Sequence, residues 1–580
     1  MRISHLLPLL GLMVTGRASA IPIVTTITNA PYTISSPGTY RLANNISWTG
    51  TGPSNAVAIT INANNVVLDL NGKTVTGNQY FGLDVFTAYG IAATNVSNLT
   101  VFNGTVNGFR SGGVLLSSVN QAKLYNLTIE NINNLGLWSG LFTVDMVSGF
   151  IALGSTNVCL SNVLVQNINL QPTNDNTTFA QAGGVIAAGC ANFTNIGVTI
   201  TGVTNNAGVA EGIAALDCTG VTVLRSTVSN IVTGQGATNN FVGHTCLGMV
   251  FSPSRLSANI TGATVTSGGS GYSGYPPVTI SPVTNDSGST NYGYAVVSPQ
   301  GQVTGIVLTG IATNYETFPQ VTIGGSGTGA EAVVQPNQVS YTTIGYCGNI
   351  KVADCNISNI IGAIDDAHGI SLFTVTNAVI QRVHVNTVVD GQNSYNFGGS
   401  KATGFENYGN PSATNCNIVL EDCVAQNVIA IGPADLAANG FSAAGNGIRF
   451  NRCTASNVIV AGINRLDPLA SPGTAAGFGW APDVRIQNIY PAKNTVIEGC
   501  TVMRSLVCFD TYNFQNSVWR NNRPIAVPNG IRYLQEPALT DRTIFGSIWN
   551  EVVDAALYPD GIKAIPIYNQ AQGNQITPVP

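Results

Sequence analysis

Ile350-Lys351-Val352-Ala353-Asp354-Cys355-Asn356-Ile357 is the stretch on which the fold turns. It reads apolar-x-apolar, two turn residues, then small-x-apolar. Alternation of this kind makes a short strand with one buried face, and the two middle residues make a corner between two such strands. The same pattern stands at Val221 to Val228, Ile418 to Ala425 and Ile448 to Ala455. Working outward, glycine followed by Val, Ile or Phe recurs at Gly90, Gly113, Gly149, Gly184, Gly212, Gly369, Gly404, Gly440 and Gly477. Fourteen residues beyond six of these lie Gly104, Leu127, Val163, Val198, Ser226 and Val383. In later copies that place is held by Cys355, Cys423, Cys453 and Cys500.

Short strands joined by corners and repeated every 23 to 47 residues predict an all-β chain coiled as a right-handed parallel β-helix. Stacked about 4.8 Å apart, parallel strands satisfy each other's backbone groups along the whole solenoid. A barrel or sandwich needs hairpin turns, and none occurs at matching spacing. Composition agrees: 8% of the 580 residues are charged, against about 25% in an average soluble protein. The net charge is −5 and no basic run occurs, which argues against nucleic acid as a partner.

Stacking turns columns of sequence into ladders. Four residues past the Val163-type place stand Asn131, Asn167, Asn230, Asn359, Asn427 and Asn457. Asparagine tolerates the left-handed turn conformation and can pass amide hydrogen bonds from coil to coil. Cys423, Cys453 and Cys500 fall on one inward column. Their spacing of about 4.8 Å exceeds the roughly 3.8 Å Cβ separation of a disulfide, so free, buried thiols are expected. One residue earlier come Asp354, Arg382, Asp422 and Arg452, whose alternating charges predict an outward salt-bridge ladder.

Three segments lie outside the repeat. Residues 1–20 read as a signal peptide, with Arg2, an apolar Leu6 to Val14 and the small residues Ala18-Ser19-Ala20. No later run is long enough for a membrane span, so a secreted, extracellular or cell-surface protein (or a periplasmic one) is expected. The solenoid then occupies 21–258 and 339–522. Residues 259–338 hold two related Gly/Tyr/Pro units, read as a small inserted all-β module. Residues 523–580 form a C-terminal cap or oligomerisation segment, with Thr540 capping a helix over 541–557.

The opening Pro31 to Leu42, with Ala58 to Ile61 and Asn65 to Gly72, resembles the capping start of the pectate-lyase-like superfamily of secreted β-helix proteins. The resemblance covers residues 25 to 520 apart from the insert. It implies the fold; the superfamily spans pectin and alginate lyases, polygalacturonases, tailspikes and adhesins, so it does not choose an activity.

Asp365-Asp366-Ala367-His368-Gly369 is the candidate catalytic cluster. Hydrolysis of a glycosidic bond needs two carboxyls in different protonation states, and lyase chemistry needs a base. The cluster partly resembles polygalacturonases, but the Arg-x-Lys clamp of that family is missing, Arg449 being followed by Phe450. His368 opens a coil where Glu211 opens an earlier one, and its side chain is expected at the outer surface. Trp138, Tyr272, Tyr275, Tyr292 and Tyr294 are candidates for stacking on a polysaccharide or cell-surface glycan. No metal ligand set and no cofactor is expected; Ca²⁺ enters only if the chain is a lyase.

Two readings follow. The leading one is a secreted, structural, adhesive or glycan-binding protein. The alternative is a lyase or hydrolase acting on an acidic polysaccharide. Side chains of the Asp-Asp-x-His cluster joined to a further acid or base favour the enzyme, and a surface of ladders alone favours the scaffold.

Overall fold

The computed structural model describes residues 24–48, 56–77, 88–134, 145–171, 180–206, 208–234, 245–253, 255–260, 262–281, 291–309, 312–315, 320–334, 339–344, 346–362, 366–391, 401–409, 415–431, 437–461, 474–480, 492–505, 507–510, 514–525, 531–534 and 575–576. Among them every regular element is a strand, and 39 strands belong to one sheet system paired coil to coil in parallel. The chain is a parallel β-helix.

One coil shows the build. Asp145–Leu153 forms the face that carries the glycine, Gly154 turns the chain at φ 53°, and Thr156–Leu170 forms the other two faces. That long strand bends at Asn162 and Asn167, both near φ 50–57°. Register is strict: Leu124 lies beside Leu160 and Ile129 beside Val165. The bends are where asparagine is needed, because a β-branched residue is strained at positive φ.

The predicted asparagine column is present. Asn131, Asn167, Asn230, Asn359, Asn427 and Asn457 all have φ of 55–57°. Asn167 donates to Asn131 at 3.1 Å, Asn359 to Asn230 at 3.0 Å and Asn457 to Asn427 at 2.6 Å. A second amide ladder, which the sequence reading missed, runs through Asn349, Asn377 and Asn417 on another corner.

The glycines mark the tightest approach in the coil. A Cβ on Gly440 would stand 2.7 Å from both the Ala455 Cβ and the Gly477 carbonyl oxygen. The residue after each glycine enters the core, and Phe405, Phe441, Phe478 and Phe509 stack there as a column. All eleven cysteines are free and ten are buried, among them Cys355, Cys423, Cys453 and Cys500 of the inward column. Burial pushes the Cys355 thiol up to about 11, so this thiol stays neutral at physiological pH.

The solenoid steps over the insert without a break: Thr222–Leu224 pairs with Lys351–Ala353, and Cys246–Phe251 with Ala367–Leu372. The insert changes to antiparallel pairing. Its stem, Arg255–Ile260 against Val339–Ile344, begins a few residues outside the expected 259–338. Inside it Pro277–Ser281, Asn291–Val297, Val303–Leu308 and Gln320–Ile323 form a four-stranded sheet.

Parallel pairing also continues past the expected limit at 522. Arg523–Ile525 lies on Thr501–Met503, Ile531–Leu534 on Val507–Asp510, and Gln575–Ile576 on Val518–Trp519. The short strands of this end carry too little alternation to stand out as coils in sequence. The signal peptide and the helix expected over 541–557 lie outside the described residues.

Candidate functional site

The site lies on the outer side of the glycine face. Along Ala367–Gln381 the residues Ala367, Ile370 and Leu372 enter the core, which turns Asp366, His368 and Ser371 to the other side. On the next coil Ala402 and Phe405 enter the core, which turns Lys401, Thr403 and Glu406 outward. Register sets His368 beside Thr403 and Ser371 beside Glu406. Four ionisable side chains therefore meet across two adjacent strands.

Lys401 Nζ donates to Glu406 Oε1 at 2.5 Å, and Ser371 Oγ donates to Glu406 Oε2 at 2.7 Å. The imidazole of His368 lies between two carboxylates, with Nε2 3.8 Å from Asp366 Oδ2 and Nδ1 3.7 Å from Glu406 Oε2. Neither ring nitrogen has a hydrogen-bond partner among the described residues. The His368 side chain is 1% exposed, Glu406 2%, Lys401 7% and Asp366 13%.

This geometry corrects one expectation. His368 faces outward from the strand but is buried, not surface-exposed, because the outer side of this face is itself a packed layer. Ile186, Ala214, Leu247 and Val250 form an apolar cluster on it one to three strands upstream.

A buried lysine and two carboxylates are costly to desolvate. Glu406 is satisfied by Lys401 and Ser371, and an imidazole poised between acids can take up or release a proton. Spacings of 3.7–3.8 Å are too long for hydrogen bonds, yet of the kind that tighten when a substrate seats. Among the described residues no group of three His, Cys, Asp or Glu side chains is arranged to hold a metal ion.

Of the residues expected from sequence, Asp366 and His368 come together, while Asp365 and Trp138 lie outside the described residues. Tyr272 is buried at 5% in the core of the inserted module. Its hydroxyl accepts a hydrogen bond from the Ala330 N–H at 3.3 Å, so packing has taken the ring that a glycan would need. Tyr275 and Tyr292 are exposed at 77% and 62%, and Tyr275 meets the partly buried Tyr294 edge to face at 5.3 Å.

Lys401, Glu406 and Ser371 were missed in sequence. The signal that finds them is the glycine column itself. Three residues before and two after Gly369 stand Asp366 and Ser371; the same offsets from Gly404 give Lys401 and Glu406.

No known protein family matches the chain, and no curated protein does. Among solved structures it is similar to a tailspike protein of an E. coli bacteriophage, determined with a bound pentasaccharide, at 11% identity. That match covers 86% of this chain and 74% of the other, with a TM-score of 0.41. A mannuronan C-5 epimerase module from Azotobacter vinelandii matches at 9% identity over 89% and 90% of the two chains, TM-score 0.28. An alginate lyase from Paenibacillus matches at 11% identity over 78% and 99%, TM-score 0.25.

Proposed function

We propose that this chain is an exported glycan-directed β-helix protein whose buried Asp366–His368–Glu406–Lys401 centre performs proton transfer on a polysaccharide. The observation that carries the reading is His368, fully buried between two carboxylates with both ring nitrogens lacking a hydrogen-bond partner among the described residues. A purely structural histidine at such a depth is ordinarily hydrogen-bonded. Buried, charge-flanked titratable groups gather at functional sites. The joining of Asp366 and His368 to a further acid and a lysine is the feature that favours an enzyme over a scaffold.

In this reading His368 is the proton carrier and Asp366, the most exposed member, meets the substrate. Glu406, held by Lys401 and Ser371, orients the ring. The test is release of new reducing ends from uronic-acid and neutral polysaccharides by the purified protein, with and without Ca²⁺. Activity is expected, and His368→Ala and Asp366→Ala are expected to abolish it while the fold survives. Full activity in both variants, or silence across the panel, overturns the catalytic reading.

The exposed Tyr275 and Tyr292 support a second reading, in which the chain only binds glycan. Retarded migration in polysaccharide gels, lost in Tyr275→Ala and intact in His368→Ala, is the outcome that selects it.

A further inference from the structure

The outer side of the glycine face carries a further buried carboxyl. Glu211 precedes Gly212 as His368 precedes Gly369, and register runs Glu211, Leu247, His368 across three adjacent strands. Two steps of about 4.8 Å set the two backbone positions about 9.6 Å apart.

The surroundings of Glu211 differ from those of Asp366. It is 4% exposed, and Gln181 Nε2 donates to its Oε2 at 2.6 Å. Ala214, Leu247 and the partly buried Val209 share its patch. The strands packed on either side, Ala180–Ala188 and Cys246–Ser252, carry no charged residue, and their one titratable group, Cys246, is in the core. Its own strand, Val209–Leu216, carries no other titratable group. With no cation beside it on these strands, burial pushes the Glu211 carboxyl up to about 7, the Gln181 hydrogen bond opposing the shift in part. In mildly acidic solution it keeps its proton. This is the chemistry of a general acid, and Asp366, beside His368 two strands away, is placed to act as the base.

We infer that Glu211 is the proton donor of this face, delivering its proton to the leaving oxygen of a glycosidic bond. The inference rests on the reading of the Asp366–His368 centre as one that cleaves a saccharide. In the step, the Glu211 O–H bond breaks and an O–H bond forms on the glycosidic oxygen. The bond from that oxygen to the anomeric carbon breaks, its electron pair staying with the oxygen. Water bonds to the carbon and gives up a proton to Asp366. Asp366 releases that proton to solvent and solvent returns one to Glu211, so one water is consumed and nothing is oxidised or reduced.

Glu211→Gln keeps the shape and the Gln181 contact but has no proton to give. Against an ordinary glycoside it is expected to lower kcat by about 100-fold or more. Against a glycoside with a dinitrophenyl leaving group, which departs without protonation, it is expected to stay near the wild-type rate. The alkaline limb of the wild-type pH profile is expected to fall near pH 7. Equal losses on the two substrates, or none on either, overturn the assignment. Infrared difference spectra separate this failure from that of the parent reading. A protonated-carboxyl band present in wild type at mildly acidic pH and lost in Glu211→Gln is expected whether or not the substrate is right. Absence of that band overturns the neutral acid itself. The band present in a protein inactive on every glycan overturns the donor role through the parent reading alone.

Discussion

Asp354, Arg382, Asp422 and Arg452 stand at one corner of the coils that carry Asp366, Lys401 and Glu406 on another face. Both groups are made of acids and bases on neighbouring strands, and they differ in solvent. At the corner Arg382 meets Asp354 at 2.6 Å and Arg452 meets Asp422 at 2.8 Å, with side chains 41–55% exposed. Each pair spans one coil step, and all four residues have φ of 50–57°. On the glycine face the charges are 2–13% exposed, and a histidine there lies beyond hydrogen-bond reach of either acid. The corner charges are a register device whose members remain solvated when a partner is lost. The face charges have no such escape, because burial leaves each dependent on its partner.

The largest expected effect lies on the face. Glu406→Ala leaves Lys401 buried without its counter-ion, and chemical denaturation is expected to show a loss of about 3–5 kcal/mol. A loss under 1 kcal/mol would mean that the face is as well hydrated as the corner and would erase the contrast. Next comes a position that belongs to neither charge set. Asn457→Ala forces alanine into the left-handed region and removes the amide bond to Asn427. A loss of about 1–3 kcal/mol is expected.

The smallest effect is at the corner. The Arg382 guanidinium holds the Asp354 carboxyl below the usual carboxylate range. A depressed folded-state pKa contributes stability that is present at neutral pH and lost as pH falls through it. Asp354→Asn is therefore expected to melt slightly below wild type at neutral pH and low salt. The gap should close in strong acid and in high salt. A gap that grows on acidification would contradict the pairing.

What was legible in the sequence is what the stack repeats. Glycine at the tight approach, asparagine at the bend, cysteine in the inward column and alternating charge at the corner recur because each coil presents the same backbone to its neighbours. The site was half legible. Asp366 and His368 stand two residues apart in sequence, whereas Lys401 and Glu406 arrive from the next coil and are marked only by their offsets from Gly404. Outward positions of the glycine face run Glu211, Leu247, His368, Thr403, Asn439. Nothing in strand geometry dictates what stands there. Tyr272 illustrates the reverse error, a sugar-stacking residue type consumed by a local core.

The uninterrupted register across the insert has a consequence for how the chain finds its fold. Val228 pairs with Ile357 and Ile231 with Ile360 as though no module intervened. To a growing stack, the segment between is a single wide detour. Closure of a detour grows costlier only slowly with length, by about 0.6 kcal/mol for each doubling. The module can therefore vary in size, or be exchanged, at little cost to the register on either side. The solenoid behaves as a rail with a siding, and new surface can be added at the siding while the glycine face downstream keeps its alignment.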